Sequence, residues 1–182
     1  MQATLIAIGI IIGAIFVWAI STQRRLVMMD DNINNAMSQI GLQLSCRLNT
    51  LTTLLDIAKG YAGQESETLI ETIKSARSDI TAKSTPEDVL RQEGIISEAL
   101  GKIATLSGQY PELKANTHYV KTLDAVETYE NMLRTSRLIY NDSVNKLNRE
   151  IRMLPVSIIA RMMGFSGKNY FEEQGAKAIG NF

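Results

Sequence analysis

Residues 3–20 read ATLIAIGIIIGAIFVWAI, and residues 21–25 directly after them read STQRR. A helix rises 1.5 Å per residue and crosses a hydrocarbon core with roughly 20 residues, so this uncharged run spans one with the help of a few flanking positions. No basic residue stands before it, whereas a secretory signal opens on a positive region and closes on a small-residue cleavage site. The expectation is therefore an uncleaved anchor over residues 1–22. Basic residues are retained on the cytoplasmic side of a span, and Arg24 and Arg25 follow this one directly, while Asp30 and Asp31 weigh little. The predicted topology is a single pass through the cell inner membrane, N-terminus outside and the remainder in the cytoplasm. Within the span, Gly9 and Gly13 form a GxxxG pair that bares one helix face to close approach by a second copy.

Beyond the anchor about 160 residues remain, enough for one domain with its own core. Lys plus Arg and Asp plus Glu are 19 each, so the whole chain offers no net positive field for gripping nucleic acid, and none is expected as a partner. A single cysteine, Cys46, excludes an internal disulfide and suits a reducing compartment. The three prolines, Pro86, Pro111 and Pro155, divide the soluble part into long stretches uninterrupted by the one residue that helix interiors exclude.

Those stretches carry helical periodicity. From Leu26 through Met29, Ile33, Met37, Ile40, Leu44, Leu48, Leu51, Leu55 and Ala58 to Ala62, ten steps cover 36 residues, a mean of 3.6, the period of a straight helix. This first helix is expected to be continuous with the span and to end near Gly60–Gly63. Cys46 lies about 200° round from Leu44 and is expected to be exposed. A second helix is predicted over residues 65–82 on Leu69, Ile70, Ile73, Ala76 and Ile80. A third starts at Thr85 as N-cap with Pro86 in the first turn and Glu87 and Asp88 on the dipole, and it carries Val89, Ile96, Leu100, Ile103 and Leu106. A fourth starts near Asn116 and carries Val126, Tyr129, Leu133, Tyr140, Val144, Leu147, Ile151 and Leu154 until Pro155. The fold class is all-α: an N-terminal transmembrane helix continuous with a four-helix bundle of long antiparallel helices over residues 23–154.

The first and fourth helices match in length, so the fourth returns to the bilayer. The segment 155–171 is then membrane-proximal. Its Val156, Ile158, Ile159, Met162, Met163 and Phe165, with Arg152, Arg161 and Lys168 nearby, suit an anionic inner-leaflet surface or, on an equal footing, a subunit interface. Residues 172–182 lack periodicity and are expected to form a flexible tail.

The anchor, GYAGQESETL at 60–69, YPELKAN at 110–116, YNDSVNKLN at 140–148, and the stretch from Pro155 through Gly164 and Phe165 to YFE at 170–172 together resemble the LemA family. The order and spacing of these motifs span nearly the whole chain. The resemblance implies a bacterial membrane protein with one N-terminal span and a cytoplasmic bundle of long antiparallel helices, and it carries over no reaction. GQES departs from the more charged stretch common after GYA, and Gly63 adds flexibility to the first bend.

Chemical motifs are sparse. A dinuclear metal site in a helix bundle needs Glu and His at i, i+3 on two helices, and His118 follows Ala115 instead. Gly101-Lys102 lacks the register of a phosphate loop. Cys46 has no neighbouring histidine in sequence to activate it. Glu65, Glu67, Glu71, Glu127, Glu130 and Glu150 interleave with Lys and Arg as solvated faces do. YPELKAN reads as a helix-to-helix turn. In YNDSVN, Tyr140 falls on the buried stripe and needs a hydroxyl partner, expected from an Asn or Asp of another helix. No catalytic residue, metal or cofactor is assigned.

The resulting expectation is a non-enzymatic scaffold that self-associates, since Leu123, Met132, Leu138 and Ile139 on the fourth helix and Leu90, Ile95 and Ala99 on the third exceed what one interior can hold. The alternative is an adaptor or regulator of another membrane protein, such as an envelope quality-control protease. The expected partners are the lipid bilayer, further copies of the chain and a membrane-protein client.

Overall fold

The structure, a computed structural model, describes residues 2–171. Its elements are α1 (Gln2–Ala76), α2 (Pro86–Gln109), α3 (Pro111–Ala115), α4 (Thr117–Glu150) and α5 (Val156–Met162), with no strand among the described residues. Neither Gly nor Pro occurs over residues 14–40, so nothing stops the helix of the apolar run from continuing into the next stretch. The all-α reading holds. The expected tail, residues 172–182, lies outside the described residues.

The chain forms two compact units, one within Met1–Asn34 and Tyr140–Phe182, the other Asn35–Ile139. In the second, the stripe read from the sequence is the core: Met37, Ile40, Leu44, Leu48, Leu51, Leu55 and Ala58 are all buried, joined by Ile96 and Ile103 of α2 and Leu133 of α4. α1 and α4 run antiparallel there, because Arg47 meets Glu130 while Tyr61, further along α1, meets the earlier residue Asn116.

The expected first bend is a kink rather than a gap. Gly63 has φ 42 and ψ −112, outside the helical region, in a quadrant that costs glycine little and a residue with a Cβ a great deal. The helix resumes at once and ends at Ala76, six residues short of the predicted Ala82. The cause is the stretch of chain just beyond it. Arg77 bonds back to Asn49 Oδ1 (3.0 Å) and Ser45 Oγ (2.8 Å), and the Ile80 backbone packs so closely on Gly41 that a Cβ there would strike its carbonyl oxygen. These contacts hold residues 77–80 outside the helix.

α2 starts as predicted, with a complete capping box: the Thr85 hydroxyl accepts from the Asp88 amide, and Asp88 accepts from the Thr85 amide at 2.9 Å. The bond from the Thr85 amide first, and then the one the Thr85 hydroxyl donates to Asp88 Oδ2 at 2.9 Å, hold the Asp88 carboxyl below its ordinary pKa. YPELKAN holds the short helix α3, and Asn116 caps α4 by accepting from the amides of His118 and Tyr119. Leu90 and Ile95 of α2 are half-buried and Ala99 is buried, so the surplus expected on the third helix is spent inside this unit. Leu123, Met132, Leu138 and Ile139 of α4 are exposed at 40, 46, 56 and 56%.

In the first unit, residues 4–21 of α1 are exposed, apart from the half-exposed Ala19, and Thr22, Leu26 and Ile33 are buried. Val144 and Leu147 of α4 are buried with them. α4 ends at Glu150 rather than at Pro155. Its bonds tighten to three-residue spacing, Arg152 to Arg149 and Met153 to Glu150, which closes a helix end and turns the chain outward. Leu154, expected in the core, is 78% exposed in consequence.

Candidate functional site: the end of α4 and the segment it holds

An elaborate polar construction lies at the end of α4. Asn141 and Asn148 are seven residues apart, two helical turns, and so share one face. Asn148 Nδ2 donates to the Lys168 carbonyl and its Oδ1 accepts the Lys168 amide, both at 2.9 Å. Asn141 does the same for Phe171, donating at 3.0 Å and accepting at 2.8 Å. The Tyr140 hydroxyl donates to the Asn169 carbonyl at 3.1 Å, and its ring meets Phe171 edge-on with centroids 4.9 Å apart. Burial pushes the Tyr140 hydroxyl's pKa up. Gly167 passes so close to Asn148 that a Cβ would sit 3.3 Å from its Oδ1. Residues 167–171, which have no secondary structure of their own, are thus pinned to α4 by side chains that read main-chain groups. The partner expected for Tyr140 was a side chain on another helix; it is a backbone carbonyl of this segment.

Two ion pairs tie the same region to α1. Arg25 clasps Glu150 with both guanidinium nitrogens, at 3.1 and 3.3 Å, and Lys168 Nζ meets Asp30 at 2.9 Å. Glu150 was read as a solvated carboxylate; its side chain is only 6% exposed and is paired with Arg25. Arg24 is exposed, as a topology determinant can be.

Between these ties, α5 turns one side inward and one outward. Ala160 is buried, Ile159 and Phe165 are half-buried, and Ile158 and Met162 are 57% and 83% exposed. The four residues expected to face membrane or subunit therefore divide, with Leu154 joining Ile158 and Met162 on the open side. Gly9 and Gly13 stand on the exposed part of α1 with nothing within 4 Å of where a Cβ would be.

The second unit holds a buried charge cluster that the sequence did not disclose. Arg47, on the stripe side of α1, has a side chain 5% exposed and bonds Glu130 at 2.7 Å; Arg137 pairs with Glu93. Burial lowers both guanidinium pKa values, with Glu130 opposing the shift at Arg47, and Arg47's charge adding to it at Arg137. Cys46, next door, is half-buried rather than exposed. Glu65, Thr68, Leu69, Lys102, Thr105, Leu106 and Gln109 line a shallow groove of about 480 Å³. Its Lys102 is paired with Glu98 at 2.7 Å. Among the described residues, His, Cys, Asp and Glu nowhere gather in a group of three able to hold a metal.

Among the described residues, one apolar helix long enough to cross a membrane continues into helical structure with no strand, which defines a membrane-associated helical protein. The LemA family pattern matches residues 36–180, and the chain belongs to that family. It is also similar to two proteins of Paramagnetospirillum magneticum, Magnetosome protein MamQ 2 and Magnetosome protein MamQ 1, each 28% identical over 88 residues. That match covers 48% of this chain and 32% of each relative, so it spans about a third of their length.

Proposed function

We propose that this protein is a non-enzymatic, single-pass membrane protein of the cell inner membrane, N-terminus outside, whose cytoplasmic helices act as a self-assembling scaffold. The observation that carries the reading is apolar surface left over after the core is filled. Leu123, Met132 and Leu138 of α4 and Leu42 of α1, all in the second unit, are 40–56% exposed. Large apolar side chains left exposed on two helices beyond the filled core are costly in water and support a reading in which protein meets protein there. The bare Gly9–Gly13 face supplies a second self-association surface inside the bilayer. The names of the magnetosome relatives state no reaction.

The test is mass. The full chain, solubilised gently and sized by light scattering or native mass spectrometry, is expected to be a large particle of one polypeptide. Gly9→Ile with Gly13→Ile blocks close backbone approach without harming insertion, since Ile partitions into the bilayer well, and is expected to shrink that particle. A monomer bound to a different membrane protein would replace the scaffold by an adaptor.

A further inference from the structure

We propose that the open side of α5 is a lipid-contact surface, with Leu154, Ile158 and Met162 seated at the boundary of headgroups and acyl chains and Arg152 and Arg161 against anionic headgroups. This rests on the reading of residues 3–20 as a membrane span.

Depth is the first argument. Glu150, the last residue of α4, is clasped by Arg25, five positions after Ile20 closes the apolar run. Five residues rise about 7.5 Å, which is close to the thickness of one headgroup layer, roughly 5–8 Å. The chain therefore leaves α4 at headgroup depth. From there come Leu154, in the turn before α5, and then Ile158 and Met162 on α5 at four-residue spacing, the spacing that stacks side chains on one side of a helix. They are 78, 57 and 83% exposed, an arrangement that water penalises and an interfacial position rewards.

The second argument is that the exposure is built and is not the fraying of a loose end. On one side of α5 stands the Arg25–Glu150 clasp; on the other stand the paired bonds of Asn148 and Asn141 and the Lys168–Asp30 pair. Ala160 is buried beneath it. Size is the third argument. A stable protein interface takes about 800 Å² and some 20 residues from each partner, far more than the outward side of a seven-residue helix. A bilayer asks for no such minimum. Arg152 and Arg161 are both exposed beside the apolar trio, the pairing that favours an anionic leaflet.

The full chain, reconstituted in vesicles of phosphatidylcholine and phosphatidylglycerol, carries its own control, because Trp18 is its sole tryptophan and reports on the span. On a Cys46→Ser background, Met162→Cys is labelled with bimane, and Glu87→Cys, exposed in the other unit, serves as the aqueous comparison. Met162 is exposed, so the label displaces no core contact. Phosphatidylcholine brominated high in its acyl chain is expected to quench Trp18 in unlabelled protein and the label at 162, and to leave the label at 87 bright. Quenching at 162 by brominated phosphatidylglycerol is expected to exceed that by brominated phosphatidylcholine, by roughly fivefold per arginine at the surface, and Arg152→Gln with Arg161→Gln to erase the difference. Quenching of Trp18 without quenching at 162 would overturn the lipid contact and leave the span standing; spin labels at 162 broadened by a second copy would then assign the face to a subunit interface. Equal quenching by the two lipids would overturn the role of the arginines. If Trp18 itself escapes quenching, the span reading fails and the inference falls with it.

Discussion

Asn148 binds Lys168 through both of that residue's main-chain groups, 20 positions away in sequence, and both bonds are 2.9 Å. Asn141 repeats the arrangement at Phe171, so the two grips are separable. Asn148→Ala removes one acceptor and one donor, leaves the Lys168 amide without its partner, and is expected to cost about 1–3 kcal/mol locally. Hydrogen exchange read residue by residue is expected to show the Lys168 amide accelerated at least tenfold and the Phe171 amide much less; Asn141→Ala should give the reverse. Equal acceleration of both amides by either variant would mean that the segment releases as one piece.

Glycines of opposite consequence stand on α1 and α2. A Cβ at Gly41 would strike the Ile80 carbonyl, so Gly41→Ala is expected to destabilise by about 1–3 kcal/mol as the 77–80 chain is pushed away. At Gly94 nothing lies within 4 Å of a Cβ, and Gly94→Ala in mid-helix is expected to stabilise by about 0.5–1 kcal/mol. Denaturant midpoints of the two variants should move in opposite directions.

The Arg47–Glu130 pair is asymmetric in its surroundings, 5% exposed on one side and 50% on the other. Losing the acid strands a buried cation; losing the base leaves a carboxylate that water can reach. Glu130→Gln is therefore expected to destabilise by about 1–3 kcal/mol, less than for a wholly buried pair, and Arg47→Met to be close to neutral. The methionine also removes the like charge that presses on Arg137. Thermal melts that rank the two variants the other way would contradict this account.

Orientation across the membrane calls for a better reporter than the native thiol, since Cys46 is half-buried. With Cys46→Ser and Thr53→Cys, an exposed position, an impermeant maleimide is expected to label only after the inner membrane is opened. Labelling of cells with an intact inner membrane would put the bundle on the other side.

The core was legible because burial along a helix repeats every 3.6 residues and apolar side chains record it: of the eleven positions from Leu26 to Ala62 only Met29 is merely half-buried. The cap at Thr85 was legible because its donors and acceptors are neighbours in sequence. What escaped depends on partners far along the chain. Glu150 and Arg47 look like surface charges until Arg25 and Glu130 are placed beside them, 125 and 83 positions away. The end of α1 at Ala76 was hidden likewise, because the contacts that uncoil 77–80 are made with Gly41, Ser45 and Asn49. At the site, the apolar content of 156–165 was plain, but which residues turn outward was decided by the early close of α4. Asn141 and Asn148 of YNDSVNKLN carried a helical spacing of seven that could have flagged a shared face, yet nothing local revealed that the chain of 167–171 would occupy it.

The grip that Asn141 and Asn148 exert has an evolutionary and a practical corollary. Because it touches amides and carbonyls, it sets no requirement on the side chains of Asn169 and Tyr170, and very little on that of Lys168 beyond its pairing with Asp30. Letters there are free to drift or to be rewritten as an epitope while the path of the chain stays put. Two constraints remain: room at Gly167 and a ring at Phe171 for Tyr140 to meet. What the asparagine grip itself refuses at 168 or 171 is proline, which arrives without the hydrogen the asparagine is waiting to accept.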